Sequence, residues 1–323
     1  MKKFLAGLSL VLMMVFVLVA CNNDENSDLA ESGTPSSTEV GSSDTVDTDV
    51  IQVVASFSII ADMVEQVGGD LVEVYTIVPI GEEPEEHEVL PDDIMAVTNA
   101  DLIFYNGWNL EEGDAWLENL FAATEREGIQ VTEGVTPIYL TTRGYEDYYD
   151  PHAWLDISKG IIYIRNITDA LSAFAPEHAD AFAANADAYI ARLEALHDEW
   201  IGRFDNIPDS ERLVVTAEAA FIYFGNAYGV YVDGIWELNA EDEGTPEQMV
   251  RIIGIINASN VRSLFIESSV EAHYIEQVSE ETGVPIFGML FTDSLSEPDG
   301  SAATYYDFMR HNLETIYAGL TAE

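Results

Sequence analysis

Four short segments, far apart in the sequence, carry side chains that are typical metal ligands. They are Pro84–Glu88, Asp150–Asp156, Thr216–Phe221 and Phe291–Ser294. The second segment holds a histidine between a proline and a tryptophan, with an aspartate at each end. Together the segments offer an imidazole and several carboxylates, which is a donor set for a divalent cation. The sequence therefore predicts a metal site assembled from distant parts of the chain.

The elements that must position these segments follow an alternating pattern. Short β-branched runs predict strands at 51–56, 72–78 and 101–105, with helices near 58–68, 92–99 and 113–127. A second series of strands is predicted at 212–216, 232–236, 261–266 and 285–290. Alternation of this kind indicates parallel strands joined by right-handed crossovers. We therefore predict an α/β fold of two lobes, each a mostly parallel sheet flanked by helices.

A long helix is predicted between the two lobes. Apolar residues recur there at helical spacing, namely Phe182, Ala186, Tyr189, Leu193, Leu196, Trp200 and Phe204. Pro176 precedes the stripe, and a break at 206–208 follows it. A helix of about 28 residues would be about 42 Å long and would join the lobes rigidly, which argues against a large clamshell closure.

These patterns divide the folded body into a lobe at 50–175, a linking helix at 176–206 and a lobe at 207–323. Two of the candidate ligands, Glu218 and Asp293, follow predicted strands directly. The carboxyl ends of parallel strands are where ligands bind in open α/β sheets. The facing edges of the two lobes are thus the expected place for the site.

The N-terminus has the features of an export signal. Lys2 and Lys3 precede an apolar run, and Leu18–Cys21 resembles the lipobox of bacterial lipoproteins. The resemblance implies a signal peptide at 1–20 and a lipid on Cys21, which anchors the protein outside the cytoplasm. Residues 21–49 are acidic and polar, so we expect the lipidated Cys21 to be followed by a disordered tether. An uncleaved anchor is the alternative, because about 17 apolar residues just span a bilayer.

The chain is strongly acidic. It has 12 Lys+Arg against 59 Asp+Glu, a net charge of −47, which becomes −49 once Lys2 and Lys3 are removed. Such a charge repels nucleic acid phosphates and anionic lipids, and argues against both as partners. The acids could attract cations to a site, but their spread along the whole chain favours an adaptation to high salt or high pH.

Several further stretches resemble one known family. With Asp150–Asp156, they include Asp101–Gly107, Tyr223–Gly229, Phe265–Val270 and Phe291–Ser294. The chain is similar from Ile51 to Leu320 to the cluster A-I solute-binding lipoproteins of manganese or zinc ABC importers. The resemblance implies a monomeric, non-enzymatic receptor that delivers a metal ion to an ABC permease and its ATPase.

The resemblance also assigns the ligands. It places three of them on His152, Glu218 and Asp293, although the two acids taken singly could instead be helix N-caps. The family pattern for the first ligand is D-P-H-E-Y-E-P-L-P, where this chain has Glu83–Pro91. Aligned on the prolines, Glu85 replaces the histidine ligand, and His87, two residues on, is the alternative. The remaining histidines match no ligand position and are expected to be exposed.

One imidazole with three carboxylates predicts Mn²⁺ as the cargo, because such oxygen-rich sets suit a harder ion of higher coordination number. Zn²⁺ is the alternative, since the Irving–Williams order favours its binding at most sites. A metallohydrolase is a different class, but no His-Glu-x-x-His helix or nucleophile elbow is present. A surface adhesin is the third hypothesis, for which the sequence offers no dedicated module.

Overall fold

The computed structural model describes residues 50–111, 115–141, 146–237 and 244–322. The predicted signal peptide, Cys21 and the tether lie outside the described residues, and so do the first two residues of the helix predicted at 113–127. All of the described residues belong to one compact unit, Asp47–Glu323.

Strands and helices alternate through most of this unit. The strands are β1 (Ile51–Ala55), β2 (Val72–Thr76), β3 (Leu102–Tyr105), β4 (Ile129–Gln130), β5 (Leu213–Glu218), β6 (Tyr231–Trp236), β7 (Leu264–Glu267) and β8 (Ile286–Leu290). The helices are α1 (Ser58–Gly68), α2 (Pro91–Asn99), α3 (Trp116–Thr124), α4 (Ile157–Phe174), α5 (Ala179–Trp200), α6 (Ile222–Tyr228), α7 (Pro246–Ala258), α8 (His273–Thr282) and α9 (Tyr305–Leu320). The α/β class and the helix-flanked parallel sheets predicted from the sequence are confirmed.

The first lobe is built on one parallel sheet in the order β2-β1-β3-β4. β1 is central and almost completely buried, as its run of valines and isoleucine predicts. Helix α1 packs on β1 and β2, and α2 packs on β1 and on α3. The carboxyl ends of all four strands therefore point to one edge of the sheet.

The second lobe contains two parallel ladders, β5-β6 and β7-β8, in place of one continuous sheet. β5 lies beside β7, but a side chain makes the bonds between them. One oxygen of Glu267, at the end of β7, accepts hydrogen bonds from the backbone amides of Ala217 (2.8 Å) and Glu218 (3.2 Å) in β5. The Glu267 carboxylate thus takes the position of a backbone acceptor at the carboxyl ends of these strands.

Helix α5 joins the two lobes, but it is shorter than the sequence predicted. It spans 22 residues, about 33 Å at 1.5 Å per residue, and both flanks are 3₁₀ turns, at Pro176–His178 and Phe204–Asn206. The helix ends at Trp200 because Ile201 is not helical (φ −58°, ψ 131°), and Gly202, at a φ of 72°, then turns the chain. Phe204 stays buried although it lies beyond this turn. The helix length predicted from the apolar stripe was therefore too long. The stripe packs on α1 and α4 of the first lobe and on α9 of the second.

The loops at the strand ends of the two lobes contact each other directly. The backbone amide of Gly81, after β2, donates to Ser294 Oγ over 2.7 Å. The amide of Leu295 donates to Ser58 Oγ, at the start of α1, over 2.9 Å. The candidate site lies among these loops. Among the described residues, the helices are all too short or too polar to cross a bilayer.

Candidate metal centre

Glu85 lies in a 3₁₀ turn, Pro84–Glu86, in the long loop after β2. The Trp116 indole donates to the carbonyl oxygen of Pro84 over 2.8 Å and so holds this turn against α3. Glu85 is only 7% exposed, and neither of its carboxylate oxygens has a hydrogen-bond partner within the described part of the chain. Burying a carboxylate in this way is costly unless a proton or a cation neutralises it.

His152 precedes a 3₁₀ turn that leads into α4. Asp150 Oδ1 lies 2.8 Å from His152 Nδ1 and also accepts from the His152 backbone amide over 3.0 Å. A carboxylate can only accept, so Nδ1 carries the proton in this bond and Nε2 is directed into the site. This is the usual orientation of a metal-binding histidine, whose other nitrogen donates to a carboxylate.

The second lobe supplies two carboxylates at its strand ends. Glu218 is the last residue of β5, which runs two residues further than predicted, and Asp293 lies in the loop after β8. Both are almost fully buried. Neither is a helix N-cap, the alternative that the sequence left open, because the next helices, α6 and α9, are capped at Phe221 and Thr304.

The structure brings the four predicted side chains together. His152 Nε2 lies 3.7 Å from Glu218 Oε1 and 3.4 Å from Asp293 Oδ1. One ligand atom each of Glu85, His152 and Glu218 lie within 4.8 Å of one another. Two ligands of one ion, each about 2.1 Å from it, are at most about 4.2 Å apart. The distances from His152 Nε2 to Glu218 and to Asp293 lie within this limit.

The electrostatics of this cluster favour bound protons when no cation is present. Burial raises the pKa of Glu85 well above its usual range, and the charge of Asp293 raises it further. Burial likewise raises the pKa of Glu218. For His152, burial acts to lower the pKa, but the charge of Glu218, the hydrogen bond with Asp150 and the nearby carboxylate of Asp293 raise it overall. A divalent cation would replace these protons.

His87, the alternative first ligand, is placed outside this cluster. Its Nε2 lies 3.0 Å from Asp93 Oδ2, and its ring packs edge-on against Trp116 with centroids 5.1 Å apart. The same Asp93 oxygen accepts from the backbone amide of Leu90, at the start of α2. His87 therefore holds the loop onto the N-terminus of α2.

Three buried or half-buried polar residues beside the cluster were not singled out from the sequence. Glu111 accepts from Ser56 Oγ and from two backbone amides, and burial raises its pKa to about 7. Glu267 bridges β5 and β7 as described above, and burial raises its pKa to about 8. Ser269 donates to Asp293 Oδ2 over 3.2 Å. Glu267 and Ser269 lie in Phe265–Val270, a stretch that resembles the family described in the sequence analysis. That resemblance was the one sequence signal for them.

The other histidines stay outside the cluster, as expected, but they are less exposed than predicted. Only His273 is exposed, and His178, His197 and His311 are half-buried. His197 Nδ1 lies 3.0 Å from Tyr228 Oη, and His311 Nε2 lies 2.9 Å from the carbonyl oxygen of Met289. The first hydrogen bond joins α5 to α6, and the second joins α9 to β8.

A two-lobed α/β fold with buried imidazole and carboxylate side chains between strand ends is typical of one class of protein, the metal-binding receptors of ABC importers. Comparison with known proteins identifies the family of this chain within that class. The chain belongs to the family described as zinc-uptake complex component A, periplasmic (ZnuA), whose model matches residues 53–319.

Relatives within the class carry the names of different metals. The chain is 40% identical, over 99% of both sequences, to the manganese ABC transporter substrate-binding lipoprotein PsaA of Streptococcus mitis. It is 31% identical to the Mn-bound periplasmic metal-binding protein of Candidatus Liberibacter asiaticus, with a TM-score of 0.75 over 83% of this chain and 98% of that one. The periplasmic zinc-binding protein TroA of Treponema pallidum has a TM-score of 0.78 at 27% identity, over 84% and 99% of the two chains. Family membership therefore establishes a metal receptor but leaves the metal open.

Proposed function

We propose that this protein captures Mn²⁺ outside the cytoplasmic membrane and delivers it to the permease of an ABC importer. The observation that carries the proposal is the buried cluster of Glu85, His152, Glu218 and Asp293. Two ligands come from each lobe, so the ion would be bound only where the lobes meet. The relatives that the chain resembles over nearly its full length support the importer role.

The donor set supports manganese as the cargo. Among the described residues, neither oxygen of Glu85 has a hydrogen-bond partner, and Glu218 and Asp293 add two more carboxylates to the cluster. Oxygen-rich sites that can reach five or six donors suit Mn²⁺, whereas Zn²⁺ is satisfied by four. The name of the Streptococcus mitis relative agrees with this choice. Zn²⁺ is the second candidate, because the TroA relative is named for zinc and because Zn²⁺ stands above Mn²⁺ in the Irving–Williams order.

The proposal includes the attachment of the protein to the membrane. Cleavage before Cys21 and lipidation of that residue would leave residues 21–49 as a tether for the two-lobed body. Mass spectrometry of membrane-bound protein tests this step, and an intact Met1–Ala20 segment would contradict it. We expect the folded body to act as a monomer.

Metal titrations of three forms of the chelator-treated protein test the receptor role. They are the wild type, His152→Ala, which removes the imidazole of the cluster, and His178→Ala, a matched control outside it. We expect binding of Mn²⁺ and Zn²⁺ by the wild type and the control, and at least about 100-fold weaker binding by His152→Ala. Equal affinities of all three forms would overturn the site.

Cellular uptake tests the choice of metal. Cells that lack this gene should lose manganese accumulation, and the wild-type gene should restore it while the His152→Ala gene should not. Normal manganese uptake with a loss of zinc uptake would assign the receptor to zinc.

A further inference from the structure

Ser269 lies two residues beyond the end of β7, at the edge of the metal cluster. Its hydroxyl is 3.2 Å from Asp293 Oδ2 and 3.2 Å from Thr292 Oγ1. A serine hydroxyl has one proton, and a carboxylate can only accept. The proton of Ser269 therefore points to Asp293, and the Thr292 hydroxyl must be the donor to Ser269.

This chain of hydroxyls makes the two oxygens of Asp293 unequal. Oδ2 accepts from Ser269, while Oδ1 faces His152 Nε2 at 3.4 Å and has no hydrogen-bond partner within the described residues. Oδ2 is held toward β7 and is made a weaker donor to a cation. Glu85 differs, because neither of its oxygens has a hydrogen-bond partner in the part of the chain that the structure describes.

We propose that Ser269 restricts Asp293 to binding the metal through one oxygen, and that this restriction sets the preference between Zn²⁺ and Mn²⁺. The inference rests on the proposed function and concerns selectivity at the same site. Ser269 is a positioning residue, since it acts through Asp293 and does not itself bind the ion.

The number of donors links this restriction to the choice of metal. A one-oxygen aspartate supplies one donor fewer than a two-oxygen aspartate, which moves the preference toward the four-coordinate Zn²⁺ without removing the other carboxylate oxygens that suit Mn²⁺. Freed from Ser269, Asp293 could bind through both oxygens, and Mn²⁺ gains from the extra donor. Zn²⁺ gains little from it and loses an oriented ligand.

The surroundings of Ser269 allow its side chain to be changed. The residue is half-buried and lines a cavity of about 420 Å³ between the two lobes, together with Gly81 and Glu86 of the first lobe and Val270 and Tyr274 of the second. An additional methyl group at position 269 therefore has open space beside it. The neighbouring Ser268 provides a matched control, because its hydroxyl has no hydrogen-bond partner in the described part of the chain.

Three variants test the proposal: Ser269→Ala, Ser269→Thr and the control Ser268→Ala. For Ser269→Ala we expect Zn²⁺ affinity to fall about 10- to 100-fold, the usual effect of losing an outer partner of a ligand. Mn²⁺ affinity should fall less, so that the ratio of Zn²⁺ to Mn²⁺ affinity drops by about tenfold or more. Ser269→Thr keeps the hydroxyl and should restore the wild-type ratio, and Ser268→Ala should leave it unchanged.

The absorption spectrum of bound Co²⁺ gives a second readout, because the visible bands of Co²⁺ weaken as its coordination number rises. We expect weaker bands for Ser269→Ala than for the wild type and for Ser269→Thr. Equal losses of Zn²⁺ and Mn²⁺ affinity with an unchanged Co²⁺ spectrum would overturn the selectivity role while leaving the receptor function intact. A wild-type protein that binds none of the three ions would instead overturn the proposed function and this inference with it.

Discussion

The indole Nε1 of Trp154 donates to the carbonyl oxygen of Thr292 over 3.0 Å. Trp154 follows His152 by two residues, and Thr292 precedes Asp293, so one hydrogen bond ties a ligand segment of the first lobe to one of the second. Trp154 is fully buried, and its ring lies 5.4 Å from that of His152 and 5.0 Å from that of Phe57. The relative position of His152 and Asp293, two of the proposed ligands, thus depends on a residue that has no donor atom for the metal.

Trp154→Phe should therefore weaken metal binding as well as the fold. The substitution removes the indole donor and leaves the buried carbonyl oxygen of Thr292 without it, which should lower the free energy of unfolding by about 1–3 kcal/mol. We expect metal affinity to fall about 10-fold or more, because His152 and Asp293 lose their common support. Trp200→Phe, a change of the same kind on α5, should lower stability without changing metal affinity, and equal affinities for both variants would contradict the prediction.

The identity of the first ligand can be tested by a pair of substitutions. Glu85→Ala removes a carboxylate from the cluster and should weaken Mn²⁺ binding by orders of magnitude. His87→Ala breaks the bond with Asp93 and should cost about 1–3 kcal/mol of stability, with an effect on affinity of no more than about 10- to 100-fold.

Titrations of both variants with Mn²⁺ and Zn²⁺ rank the two residues. A His87→Ala protein that no longer binds Mn²⁺, beside a nearly normal Glu85→Ala protein, would make His87 the ligand. Glu85→His restores the family pattern and should shift the preference toward Zn²⁺, because it adds a second imidazole.

Much of this arrangement was predictable from the sequence because it depends on local patterns. The alternation of strands and helices gave the lobes, and the Asp150–Asp156 stretch marked His152. Strand β4, with only Ile129–Gln130, is too short for any periodic signal. The end of α5 was misplaced because Phe204 continues the apolar stripe after the chain has turned at Gly202.

The features that escaped prediction depend on contacts between distant residues. The sequence left Glu85 and His87 as alternatives, since nothing local shows that His87 bonds to Asp93 on the next helix. The role of Glu267 depends on β5 lying beside β7. Glu267 is 50 residues from Ala217 and 49 from Glu218 in the sequence, so no local pattern shows these hydrogen bonds. Pattern and spacing therefore identify candidate ligands, while the residues that orient them emerge only from the fold.

Two substitutions of Glu267 distinguish the effect of its hydrogen bonds between β5 and β7 from the effect of its charge. Glu267→Gln keeps a carbonyl oxygen for the amides of Ala217 and Glu218, so we expect a stability close to that of the wild type. Glu267→Ala leaves both amides without an acceptor and should cost about 1–3 kcal/mol or more in the free energy of unfolding. It should also weaken metal binding, because the backbone of Glu218 is no longer held. Denaturant melts of the metal-free proteins and titrations with Zn²⁺ measure the two effects, and a Glu267→Ala protein as stable as Glu267→Gln would show that the bridge contributes nothing.

The pH dependence of metal stabilisation tests the proton content of the site. The folded protein without metal raises the pKa of Glu85, Glu218 and His152 above their values in the unfolded chain. Each group thus contributes stability that is present at low pH and is lost as the pH rises through its folded pKa. We expect a bound cation to replace these protons, so that the metal-bound protein does not lose this stability as the pH rises.

The increase in melting temperature caused by a saturating metal concentration should therefore grow as the pH rises from the ordinary pKa values of these groups, 4.5 for the glutamates and 6.5 for the histidine, toward their raised values in the folded protein. Binding should release protons over the same range, which calorimetry in buffers of different ionisation enthalpy detects. Glu85→Gln removes one titrating carboxylate and should release fewer protons than the wild type when Zn²⁺ binds. An increase in melting temperature that is the same at every pH, with equal heats in all buffers, would mean that the empty site holds no exchangeable protons.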